Sequence, residues 1–264
     1  MKKSALPLLA CWLLVALPQI QAEPWKLTGS ESVPAAEGLS HHVQTVARGS
    51  DTVTLHFVSF DASHQTFVVY DQGETGRATL GETMTKNHCL AGTNGGYFQP
   101  DFDPVGLLVA DGKLVRGPSR ARLLSGALVV TGNHIALRRS TEPLPGKHAR
   151  QAVQSGPFLV EGGRLVPGLN NARSARRTAV FTDGARRWGL VSTTSLTLDE
   201  LGTVLADPAL LPGGLKIARS LNLDGGSSTS LWVEQPGQGP LYLREFGIVR
   251  DFVGIVPRVG PVVK

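Results

Sequence analysis

Asp224 heads the run Asp224-Gly225-Gly226-Ser227-Ser228-Thr229-Ser230, directly after Leu221-Asn222-Leu223. A glycine pair followed by hydroxyls lets successive backbone N–H groups converge into an anion-binding nest. A carboxylate beside such a nest repels a bound anion, so Asp224 reads as a base, a nucleophile, or a ligand for a metal or hydroxyl; the alternative is an Asp-Gly hairpin turn. A second stretch, Thr93-Asn94-Gly95-Gly96-Tyr97-Phe98, follows the apolar Cys89-Leu90-Ala91. Its glycines allow close backbone approach to a ligand, and Asn94 offers both a donor and an acceptor, although a simple turn has the same composition. The third is Ala175-Arg176-Arg177-Thr178-Ala179-Val180-Phe181, where a basic pair enters an apolar strand. Arginine there suits bidentate binding of phosphate or carboxylate, or lies on a solvated edge.

Mostly short strands must position these groups. The 31 glycines and 17 prolines make turns frequent. Thr52 to Phe60 alternates with the period of a strand, and Thr66 to Tyr70 reads as its hairpin partner. Residues 106–115 and 156–166 each read as strand, turn and strand, with Asp111-Gly112 and Gly162-Gly163 at the turns. Thr197 and Glu200 form a capping box before a helix whose apolar face is Leu198, Leu201, Val204 and Leu205 and which ends at Pro208. Thr79 and Glu82 repeat the box before a short helix to about Asn87. The fold class expected is α+β: a mixed, mostly antiparallel β-sheet core with a few short helices in a single domain.

Five segments occur in an order that resembles the phosphodiester glycosidase family. They are Asn94 to Phe98 with Pro104-Val105-Gly106, Gln154 to Val160, Arg177-Thr178-Ala179, and Leu223 to Thr229. The resemblance runs from about Asn94 to Pro257. Ser227 replaces a usual third glycine, and residues 248–254 follow the closing segment only loosely.

The resemblance implies a hydrolase that cleaves the C1–O bond of a sugar-1-phosphodiester with phosphate as leaving group. It implies Asp224, Arg177 and Asn94 as catalytic residues. Gly95, Gly96, Gln154, Ser155, Thr178, Gly225, Gly226, Ser227 and Ser228 would bind substrate. No cofactor is expected, and the metal requirement stays open: Asp224, Asn222 and Asn94 are oxygen donors of the kind that calcium-like cations choose. No His or Cys spacing indicates zinc, and His41-His42 and His148 read as isolated loop histidines. A non-catalytic envelope module binding glycan or phosphodiester polymers is the alternative. A serine hydrolase is disfavoured because no Gly-x-Ser-x-Gly elbow is present.

The N-terminus reads as an export signal over residues 1–22. Lys2 and Lys3 precede an apolar run from Leu6 to Leu17, and Ala22 offers a small-residue cleavage position. That run is shorter than the roughly 20 residues a bilayer span needs, so no stable membrane insertion is expected. Cleavage of 22 of the 264 residues leaves 242, spanning 23–264, enough for one large domain. It would also remove Cys11, leaving Cys89 alone as a buried thiol. The net charge of +5 includes no basic run interleaved with aromatics, so no nucleic-acid partner is expected. The expected partner is a small-molecule or glycan substrate bearing a phosphodiester, met in the periplasm or after secretion.

Overall fold

The computed structural model describes residues 23–144 and 148–258; the expected signal segment lies outside them. In chain order the strands are β1 (Lys26–Val33), β2 (Leu39–Arg48), β3 (Asp51–Asp61), β4 (Gln65–Asp71), β5 (Ala91–Asn94), β6 (Leu108–Ala110), β7 (Lys113–Arg116), β8 (Gly126–Thr131) and β9 (His134–Arg139). They continue as β10 (Gln151–Ser155), β11 (Phe158–Glu161), β12 (Arg164–Leu165), β13 (Ala175–Thr182), β14 (Arg187–Leu196), β15 (Arg219–Asn222), β16 (Leu231–Val233), β17 (Leu241–Leu243) and β18 (Asp251–Pro257). Helix α1 spans Leu80–Lys86 and α2 spans Leu198–Ala206.

The strands form three sheets: β1-β2-β3-β14-β13-β15-β11-β12, β7-β6-β10-β8-β9 and β17-β16-β5-β18-β4. Every strand pairing among the described residues is antiparallel, so the α+β expectation holds with its core at the antiparallel end. All three sheets turn a face into one core that joins Val58, Phe67, Leu128, Phe158, Leu221 and Val253. The outer face of the eight-stranded sheet is buried too, under α2, through Leu55, Phe57, Phe181, Leu201 and Leu205. This is why Val53, Leu55 and Phe57 alternate with a Val58 that is equally buried: each face of β3 has its own core.

Both capping boxes form as read, at Thr79–Glu82 and Thr197–Glu200. Hairpins β6–β7 and β11–β12 form, and Asp111, Gly112, Gly162 and Gly163 all adopt positive φ. The expected β3–β4 hairpin does not. β3 lies between β2 and β14, with both edges occupied, while β4 pairs with β18 in another sheet. The turn between them carries the chain across the core, where Phe60 meets Phe67 edge to face at 4.9 Å. His41 and His42 also differ from expectation: they lie inside β2, and His41 is buried against His56. His148 is exposed. Cys89 is a free, buried thiol whose pKa burial raises. Among the described residues no helix is long and apolar enough to cross a membrane.

Candidate active site

Strand ends bring the three stretches together. β5 ends at Asn94, β15 ends at Asn222 two residues before Asp224, and β13 carries Arg176 and Arg177 directly after its first residue, Ala175. The register of β13 against β14 slips between Arg176 and Arg177, an irregularity of the kind that re-aims side chains at sheet margins. The result is a cleft of about 310 Å³ whose lining includes Tyr97, Leu123, Arg173, Arg177, Asp224 and Gly225.

Asp224 is partly exposed on this wall. Its backbone N–H donates to the Gly95 carbonyl at 3.0 Å, and Oδ1 accepts the Gly225 N–H at 2.8 Å. Burial raises its pKa; hydrogen bonds from the Ser228 hydroxyl and the Gly225 N–H oppose that rise. Arg177 donates from Nε to the Leu196 carbonyl at 2.9 Å and from Nη2 to the Arg173 carbonyl at 2.5 Å. Burial lowers its pKa from the usual guanidinium value, yet it remains a cation. Both its partners are neutral carbonyls, so its charge is directed into the cleft rather than cancelled.

Asn94 sits beneath the wall, fully buried. Its Nδ2 donates to the Asp224 carbonyl at 2.8 Å, and Oδ1 accepts from the Thr178 hydroxyl at 2.9 Å and the Ser230 N–H at 3.2 Å. Asn94 and Thr178 thus form one tie joining β5, β13 and the Asp224 turn. Gln154 is also buried and committed to protein partners. Its Oε1 accepts from Leu107 and Ser119 N–H groups, and Nε2 donates to the Ser119 carbonyl at 2.8 Å. Ser155 is buried with its hydroxyl unpartnered. Gly225 and Gly226 line the cleft, Gly226 at φ +66°; Ser227 is exposed and Ser228 is buried beside Asp224.

Two residues given no role from sequence belong to this arrangement. Tyr97 lines the cleft, donates its hydroxyl to the Gly156 carbonyl at 2.7 Å and accepts from Asn222 Nδ2 at 2.8 Å. Burial, with the charge of Asp224, raises its pKa; Arg177 and Asn222 oppose. Asp251, the first residue of β18, lies below the double glycine. Its Oδ1 accepts the Gly96 N–H at 3.0 Å and its carbonyl accepts the Gly95 N–H at 2.8 Å. Burial pushes its pKa up to about 7; the Gly96 N–H and Arg250 oppose, and Asp71 and Asp224 reinforce. A Cβ on Gly95 would lie 1.8 Å from Asp251 Oδ1, which is why that position must be glycine. A lone acid opening an apolar strand was the available signal for Asp251.

Of the three oxygen donors considered for a cation, Asn94 Oδ1 accepts protein hydrogen bonds, whereas Asn222 Oδ1 is buried with no hydrogen-bond partner among the described residues. No group of three His, Cys, Asp or Glu among the described residues could hold a metal.

A sequence model of the family described as phosphodiester glycosidase matches residues 87–250, well over half of the 264. The chain belongs to the phosphodiester glycosidase family. That is a family of glycosidase-type hydrolases, and Asp251 falls one residue beyond the matched stretch. No curated protein matches the sequence. Among solved structures, this phosphodiester glycosidase chain resembles a Synechocystis protein with TM-score 0.68 and 15% identity, covering 87% of this chain and 64% of that one. It therefore spans a little under two thirds of that protein. It also resembles the catalytic domain of zebrafish N-acetylglucosamine-1-phosphodiester alpha-N-acetylglucosaminidase, auto-inhibited by pro-peptide. There the TM-score is 0.64, with 16% identity over 87% of this chain and 88% of that one. A third likeness, with TM-score 0.53 and 14% identity, is to a Burkholderia pseudomallei protein described as exported, covering 80% of this chain and 75% of that one. At these identities the likeness is one of fold.

Proposed function

We propose that the protein is an exported hydrolase that cleaves the C1–O bond of a sugar-1-phosphodiester. The observation that carries this reading is the meeting of Arg177 and Asp224 on one cleft, the cation uncancelled and the acid partly desolvated. The leaving phosphate is weakly basic, so its oxygen needs little protonation, unlike the alkoxide leaving group of an ordinary glycoside. The protein's work is to hold the phosphate and stabilise positive charge at C1. Arg177, with the Gly226 and Ser227 N–H groups and the Ser227 hydroxyl, takes the phosphate as its charge grows. Asp224 faces the sugar side. Water adds to C1 and gives up a proton to the carboxylate, while the C1–O electron pair leaves with the phosphate as a phosphomonoester. A carboxyl with a raised pKa is the better base for that step. Asn94, Thr178, Gly95 and Gly96 hold the Asp224 turn in place.

The test is incubation with UDP-N-acetylglucosamine and a panel of sugar 1-(methyl phosphate) esters, following free sugar. Release of sugar and a phosphomonoester is expected. Binding without release across the panel would favour a glycan-binding envelope module instead.

A further inference from the structure

Asp251 has no part in the reaction described above, yet among the described residues it is the most deeply buried acid. It forms no ion pair there. Arg250, next to it in β18, is committed elsewhere: Nε bonds Asp71 Oδ1 and Nη1 bonds the Phe102 carbonyl, each at 2.8 Å. Three charged groups reach Asp251: Arg250 beside it, Asp71 opposite it on β4, and Asp224 in the turn after β15. β5 and its double glycine bring no charged side chain. Arg250 and Asp71 balance each other as a pair, so an ionised Asp251 would meet the like charge of Asp224 without a counter-ion of its own. A buried carboxyl in that position is held in its neutral form.

What Asp251 holds is the double glycine, which is gripped from two sides. On one side Asp251 takes both amides, Gly95 N–H on its carbonyl and Gly96 N–H on Oδ1. On the other, a Cβ on Gly96 would lie 2.9 Å from Val153 Cγ2 and 3.2 Å from the Gln154 carbonyl, so β10 is in close contact with the turn. The Gly95 carbonyl then accepts the Asp224 N–H. One run of hydrogen bonds thus leads from a buried acid, through two glycines, to the backbone of the acid on the cleft.

We propose that Asp251 is a positioning residue for the reaction: a neutral carboxyl that seats the Gly95-Gly96 turn and thereby fixes Asp224 against the substrate. This rests on the hydrolase reading above. Two consequences separate it from a residue that only supports the fold. Loss of the side chain misplaces Asp224, and a misplacement of about 1 Å in a reacting group costs up to about 10²-fold in rate. Ionisation adds a negative charge beneath a cleft that must accept an anion, and so opposes binding of the phosphodiester. Burial places that ionisation near pH 7.

The experiment follows sugar release from the best-cleaved phosphodiester of the panel by wild type, Asp251→Ala and Asp251→Asn, well below their thermal midpoints. At pH 6, Asp251→Ala is expected to lose kcat by about 10–100-fold with KM little changed, and Asp251→Asn to recover most of that loss. Between pH 6 and 8, wild-type kcat/KM is expected to fall about tenfold, as one ionisation near 7 requires, while that of Asp251→Asn does not fall. A wild-type kcat in Asp251→Ala, or the same alkaline fall in Asp251→Asn as in wild type, overturns the inference. If Asp251→Ala does not fold, the Asp251→Asn profile decides. If wild type releases no sugar from any ester, the hydrolase reading fails, and NMR of the ligand-free protein decides separately. The amide resonances of Gly95, Gly96 and Asp224 are expected to shift together through one midpoint near pH 7 in wild type and to stay fixed over that range in Asp251→Asn. Resonances that do not move in wild type, or that move equally in both proteins, overturn it.

Discussion

At the scale of the residue, Asp224 and Arg177 are set apart by what they lack. Each is partly buried on the cleft, and neither faces an opposite charge within ion-pair reach among the described residues. Buried ions are ordinarily paired, so an unpaired acid and an unpaired guanidinium on one wall point to a ligand that completes both. Asp224→Asn keeps the shape and removes the base. Sugar release from a phosphodiester is expected to fall by about 10²–10⁴-fold, while the thermal midpoint stays close to wild type. An unchanged rate would remove Asp224 from the reaction. Arg177→Ala is expected to weaken kcat/KM by roughly 10–100-fold for a phosphodiester and far less for a neutral aryl glycoside of the same sugar. Equal loss on both substrates would show that Arg177 serves the fold rather than the phosphate. Asp224 and Arg177 were legible in sequence because each interrupts a strand-like run beside a turn or a basic neighbour. Asn94 was legible as important, but its geometry is that of a tie under the site, which its type could not reveal. Tyr97 and Asp251 left only the marks of an ordinary aromatic and a stray acid.

The elements that hold these residues were legible where the signal is local. Both capping boxes and both turns with positive φ are chemistry within four residues, and they form as read. The β3–β4 hairpin failed because pairing is decided by distant partners: β2 and β14 occupy both edges of β3. The support beneath the site is likewise non-local, since the double glycine after β5 rests on Asp251 at the head of β18. Gly95→Ala tests that support. Its Cβ would displace the Asp251 carboxylate, an overpacking fault expected to cost about 1–3 kcal/mol. That reads as a fall in thermal midpoint of roughly 3–10 °C, with a loss of turnover out of proportion to it, because Asp224 hangs from the Gly95 carbonyl. A variant of wild-type stability and rate would show that the β5 turn does not position the acid.

At the scale of the whole molecule, three sheets share one core, and their order could not be read from strands that each look alike in sequence. Burial at that scale also sets how stability follows pH. His41 is pushed down to about 4 by burial, with His56 and His42 adding to the effect, and burial lowers His56 as well. His41 stays neutral in the fold over much of this range while the unfolded chain takes up a proton below about 6.5. Its contribution is therefore intact above pH 6.5 and is lost as pH falls toward 4, and the lowered His56 acts in the same direction. Asp251 works in the opposite sense. Its folded pKa of about 7 exceeds the ordinary 3.8, so the unfolded chain releases its proton first and stability is lost as pH rises from 3.8 to about 7. Between pH 4 and 6.5 the two slopes oppose, each up to about 1.4 kcal/mol per pH unit for one proton. Urea unfolding at pH 4.5, 5.5 and 6.5 separates them. Asp251→Asn keeps an acceptor for the Gly96 N–H but cannot ionise, so its stability is expected to climb with pH more steeply than that of wild type. His41→Gln removes one rising component, so its slope is expected to lie below that of wild type, by up to about 1.4 kcal/mol per pH unit. If Asp251→Asn follows the wild-type slope, the carboxyl is already ionised throughout this range in the folded protein, and a charged Asp251 lies beneath the Gly95-Gly96 turn.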